Sequence, residues 1–191
     1  MIAQFAPDWW EKLKDEFDKN YITTIHRFLQ LQVNKGNEVF PVAQDLYKPF
    51  RTDFDDALVV ILIPTPIIDY QKSNIMRVMG NYIEDDCYDG LKLNLNLNMD
   101  YLTKQSIMIL PESLSCGINN TGLSMWKQLT IKAVKLLNDS LNTRLVIYHP
   151  DCTSLVKFFD NDRHKCIPLE SGCFKEADEF LKKEYNITIE W

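Results

Sequence analysis

The chain has 191 residues, 46% of them apolar, and carries 21 Lys and Arg against 27 Asp and Glu, for a net charge of -6. That size can bury enough surface for a single domain over 1–191 with no tether or metal, and the acidic balance argues against a protein whose main affinity comes from neutralising phosphates. Five cysteines with no CxxC pair and no histidine at ligand spacing argue against a zinc site or disulfide framework, and predict reduced, mostly buried thiols of a cytoplasmic protein.

The opening MIAQFAPDWWEKLKDEF lacks a basic region followed by an apolar core, so no secretion signal is expected. Asp8 stands where an N-cap would precede a helix starting Trp9-Trp10-Glu11, with Glu11 at capping-box spacing. Adjacent Trp9 and Trp10 cannot both face one core. One of them is a candidate interface anchor, as is Trp191; burial against the next helix is the other reading. That second helix runs through Ile22, Ile25, Phe28 and Leu29 and ends near Asn34-Lys35-Gly36, where glycine suits a left-handed terminator.

VFPVAQDLYKPFRT reads as a turn and short helix interrupted by Pro49. Leu58 to Ile63 is a buried strand that delivers Pro64, Thr65, Pro66, Ile67 and Ile68 to the strand end, where open α/β sheets keep their sites. That loop offers no acid, base or nucleophile, so it is either a rebuilt binding surface or a rigid remnant. A helix follows over 73–85, then the period-two alternation of KLNLNLNM, which reads as an edge strand or extended loop. The acidic run from Glu84 to Asp89 is a solvated helix end or a phosphate mimic.

Ile107 to Leu110 is the second apolar strand, and Pro111 and Glu112 follow it; Glu112 is a replacement carboxylate or a solvated strand end. A helix over Leu123 to Asn138 leads to the strand Leu145 to Tyr148, ended by His149, which reads as a hydrogen-bonded structural residue at the rim. Phe174 to Tyr185 forms the last helix. Strands alternating with helices imply a mostly parallel sheet covered on both faces. No apolar run approaches the roughly 18 residues of a membrane span.

Several strings, in order, resemble the uracil-DNA glycosylase family over nearly the whole chain. VVIL at Val59 to Leu62 resembles the strand that leads into Gly-Gln-Asp-Pro-Tyr-His, and SNIMRVMGNYIEDD resembles the helix after it. LTKQSIMILPESLS matches Trp-Ala-x-Gln-Gly-Val-Leu-Leu-Leu-Asn-x-x-Leu-Thr in register, with Gln105 retained. Trp126 falls where the family has the Trp that opens a helix; RLVIYHP, RHKCIP and GCFKEADEFLKKEYNITIEW resemble the last two strands and the closing helix. The resemblance implies a three-layer α/β/α sandwich with a central four-stranded, mainly parallel sheet.

The same register implies a degenerate pocket of Pro64, Thr65, Pro66, Ile67, Ile68, Pro111, Glu112 and His149. Thr65 stands at the catalytic Asp, Ile67 at the pocket Tyr, and Pro111 at the Asn that reads uracil; proline lacks the hydrogen-bonding groups for that reading. The His-Pro-Ser-Pro-Leu motif is replaced by IPLESGC, and His164 on the near side of that strand is expected to be structural or superficial. On this reading the protein is not an enzyme. It is a catalytically inactive accessory factor in DNA replication or another DNA transaction, with a protein partner, weak DNA contact, no membrane and no cofactor. The poxvirus member, a polymerase processivity subunit, is the precedent for a virus-encoded chain. Two alternatives stay open: a divergent glycosylase for an altered base, using Glu112, His149 or Glu170, and an acidic DNA mimic or inhibitor.

Overall fold

The computed structural model describes residues 5–64, 103–117, 123–170 and 172–189. The helix expected over 73–85, the alternating segment after Gly90, the acidic run, the pocket residues Thr65, Pro66, Ile67 and Ile68, and Trp191 lie outside these residues.

Two helices open the fold, α1 (Pro7–Phe17) and α2 (Asn20–Asn34), followed by the short strand β1 (Val39–Phe40) and two 3-10 turns. Then come β2 (Val59–Ile63), β3 (Ile107–Pro111), β4 (Cys116–Gly117), α3 (Lys127–Asp139), β5 (Leu145–Tyr148), the single turn α4 (Thr153–Val156), β6 (Lys165–Pro168) and α5 (Cys173–Tyr185). β1 and β4 pair antiparallel, while β3-β2-β5-β6 form a sheet in which every pairing is parallel.

Alternation along the strands divides the core. Val60, Leu62, Met108, Leu110 and Val146 face a cluster built with α1, α2 and α3, through Leu13, Ile25, Leu129, Ala133 and Leu137. Val59, Ile61, Ile63, Ile107, Ile109, Leu145, Ile147 and Ile167 face α5 through Cys173, Ala177 and Leu181. Each fully buried aliphatic side chain contributes about 1.5–3 kcal/mol relative to exposure. This is why β2 and β3 read as continuous apolar runs instead of alternating ones.

The helix start differs from its expectation. Pro7 occupies the first turn and Ala6 is the N-cap, because proline's fixed φ and missing N–H suit that position. Asp8 therefore sits inside the helix, where its carboxylate accepts from Trp9 N at 2.7 Å and from Phe54 N at 2.5 Å, while Glu11 pairs with Lys14. Trp9 is also corrected as an interface anchor: it is wholly buried between Phe50 and Phe54, at 5.1 and 4.8 Å between ring centroids. Trp10 is half-buried, edge-on to Phe5 and tilted against Phe17.

α2 ends as expected, with Gly36 at φ +76°. His164 is a core residue: its Nδ1 accepts from Arg144 N at 3.1 Å. Cys116, Cys152 and Cys166 are free thiols, and Cys116, Cys152 and Cys173 are buried.

Candidate functional site

Beyond the strand ends the sheet ladder runs on for one more residue. Glu112 N donates to Ile63 O at 2.7 Å, His149 N to Leu62 O at 2.9 Å and Leu169 N to Tyr148 O at 2.8 Å. The strand order β3-β2-β5 thus sets Glu112, Pro64 and His149 side by side along one rim, the position at which open parallel sheets gather ligands. Among the described residues β3 is an edge of the sheet, where Pro111 is tolerated at the strand's end.

Glu112 is held at three points. Besides the bond to Ile63, its carbonyl accepts from Thr130 Oγ1 at 3.1 Å, and its carboxylate Oε1 accepts from Ser154 Oγ at 2.9 Å. Lys127 Nζ stands 3.9 Å from the same oxygen, and the Glu112 side chain keeps 21% of its surface exposed. It is neither a loose surface acid nor a fully buried one: the carboxylate is oriented yet open to a small reactant.

His149 is buried, and its Nδ1 accepts from Asp151 N at 3.1 Å. An accepting Nδ1 places the proton of the neutral ring on Nε2. Burial lowers the imidazole's pKa, against the opposing charge of Asp151, so the neutral form prevails at physiological pH. Cys152, on the next turn, is excluded as a nucleophile: burial, then the charges of Glu112 and Asp151, push its thiol up to about 12.

Of the acids named from sequence, Glu112 joins the rim with His149. Glu170 is exposed and follows β6, on the opposite edge of the sheet from β3, so three strand spacings, roughly 14 Å, keep it apart from Glu112. Lys127 and Ser154 escaped the sequence reading, since no local pattern reveals that the starts of α3 and α4 meet at one carboxylate. Among the described residues no group of three or more His, Cys, Asp and Glu side chains could hold a metal, and no helix is long and apolar enough to cross a membrane.

No family model matches the chain. The uracil-DNA glycosylase of Clostridium perfringens is 36% identical over an alignment spanning all of this chain and 98% of the relative. The uracil-DNA glycosylase of Fusobacterium nucleatum is 24% identical over all of this chain and 97% of its own. Among solved structures, mimivirus uracil-DNA glycosylase superposes with a TM-score of 0.66 at 14% identity, covering 87% of this chain and 68% of that one. A variant of the mimivirus enzyme bound to UGI gives 0.68, over 88% and 70%. The three-layer α/β fold expected from the resemblance is therefore present. The expectation of a non-enzyme is overturned, because the full-length relatives are glycosylases. Motif positions taken singly do not reveal the carboxylate and imidazole that β3 and β5 bring to a common rim.

Proposed function

The chain belongs to the uracil-DNA glycosylase family, and on that footing we propose that it hydrolyses the bond between uracil and deoxyribose in DNA at the rim formed by Glu112, Pro64 and His149. The observation that carries this reading is the orientation of the Glu112 carboxylate by Ser154 at the carboxyl end of β3, next to β2.

Cleavage of the C1′–N1 bond leaves positive charge on the sugar and negative charge on the base. A fixed carboxylate stabilises the sugar cation and takes a proton from the water whose oxygen bonds to C1′. Glu112 fills this role, and the target nucleotide reaches it extruded from the helix.

The test is release of uracil from a single-stranded oligonucleotide carrying one deoxyuridine, scored by strand scission at the abasic site. Wild type should cleave with turnover, and Glu112→Gln should not. No scission by wild-type protein stoichiometric with substrate would overturn the reading. Since the mimivirus variant binds UGI, adding UGI to the same assay asks whether a protein can cover this rim.

A further inference from the structure

In a chain with 27 acids, residues 113–138 and 152–159 contain no Asp or Glu, and they carry Lys127, Lys132, Lys135 and Lys157. The fold lays α3 and the segment 153–158 against each other. Lys127 and Lys135 stand eight residues apart on α3, close to one face of the helix and about 12 Å along its axis. At the rim, Lys127 and Ser154 converge on Glu112. Further down, Lys135 Nζ lies 5.0 Å from the centroid of the Phe158 ring, and Lys157 Nζ lies 5.4 Å from it. The seam between α3 and the α4 segment is thus joined at both ends. It opens beside the candidate site and ends on two cations gathered around one half-buried aromatic ring.

Lys127, Lys135 and Lys157 are exposed, and among the described residues neither Lys135 nor Lys157 has a carboxylate within 4 Å. Asp139 and Asp160 mark where the positive strip stops. The ring holds the two ammonium groups without neutralising them, so their charge is available to an anion. Continuity with the rim makes that anion a polymer entering or leaving the site.

We propose that this seam is a track for the phosphate backbone of the single DNA strand flanking the target nucleotide, with Lys127, Lys135 and Lys157 as its phosphate contacts. The proposal rests on DNA being the substrate, and it adds a path about three nucleotides long beside the site. Local positive charge in an acidic chain favours one course for the strand.

The experiment measures binding of a four-nucleotide and a fifteen-nucleotide uracil oligonucleotide by fluorescence anisotropy across salt concentrations. Wild type is compared with Lys135→Gln/Lys157→Gln, with the charge-keeping Lys135→Arg/Lys157→Arg, and with Lys182→Gln/Lys183→Gln on α5 as a charge-matched control. For the longer strand, removing two phosphate contacts should make the slope of log K against log salt shallower by about 1.4 and weaken binding roughly tenfold at 0.15 M. The arginine pair and the α5 control should behave like wild type, and the four-nucleotide ligand, with fewer flanking phosphates to lay along the track, should lose less than the longer strand. An unchanged slope in the glutamine pair, or an equal loss in the control, would overturn the track. Failure of wild type to excise uracil defeats the catalytic reading instead, and the salt slopes still decide the seam.

Discussion

Ser154 Oγ donates to Glu112 Oε1 at 2.9 Å, a bond that reaches from α4 to the end of β3 across 42 residues of sequence. It fixes one carboxylate oxygen and leaves the other free to meet water. Ser154→Ala should therefore lower the rate constant for uracil release by about tenfold, the value of one net hydrogen bond to a charged group, with KM unchanged. Glu112→Gln should lower it by about a hundredfold or more, the range for loss of a general base. Single-turnover kinetics on both variants checks the order, and equal activity of Glu112→Gln and wild type would remove the carboxylate from the mechanism.

Arg144 is fully buried, and its guanidinium donates to the carbonyls of Ala57, Phe54 and Leu137 and to Ser140 Oγ, with Phe54's ring beneath it. Burial lowers its pKa to about 10, so it stays charged at neutral pH and each carbonyl receives a charge-assisted bond. Arg144→Met should destabilise the fold by about 3 kcal/mol or more by orphaning these carbonyls. Arg144→Lys should not rescue it, because an ammonium cannot span the fork. Urea denaturation of the three proteins measures this.

Trp126 is wholly buried and donates from Nε1 to Ser115 Oγ at 2.7 Å, while Ser113 Oγ donates to Ser115 O at 2.6 Å. The indole thus pins the loop that follows Glu112. Trp126→Phe should cost about 1–3 kcal/mol, leaving a small void and orphaning the serine, whereas Trp126→Ala should cost about 3–5 kcal/mol. Thermal unfolding reports both, and the alanine variant should also lose uracil release as Glu112 loosens.

All three histidines, His26, His149 and His164, have pKa values lowered from 6.5, chiefly by burial. A base with a lowered folded-state pKa binds its proton more weakly folded than unfolded, so unfolding takes up protons below about pH 6.5 and stability falls as pH falls through that range. The denaturation midpoint should drop between pH 7.5 and pH 5.5. His26→Gln, which retains a partner for Tyr47 Oη, should flatten that drop. A midpoint unaffected by pH would show that the three rings titrate normally.

Much of the fold was legible in the chain. β2, β3 and β5 announced themselves as β-branched apolar runs within a residue of their true limits, and α2 ended at its glycine. Buried parallel strands are apolar on both faces, and that property is local. Asp8 misled because a capping motif and a first-turn proline competed for the same helix start. Trp9 misled because the adjacent-tryptophan rule says that one ring must turn away without saying which.

The site was less legible. Which residue types stand at Thr65 and Pro111 is a matter of sequence alone, and so is the acid-free pair of stretches around Lys135 and Lys157. That Glu112 is oriented by Ser154, faced by Lys127 and set one strand away from Pro64 was decided by the tertiary structure. The physical reason is range. Hydrophobic periodicity and capping act over a few residues, whereas a carboxylate's chemistry depends on which donors and charges parallel crossovers bring within about 4 Å of it.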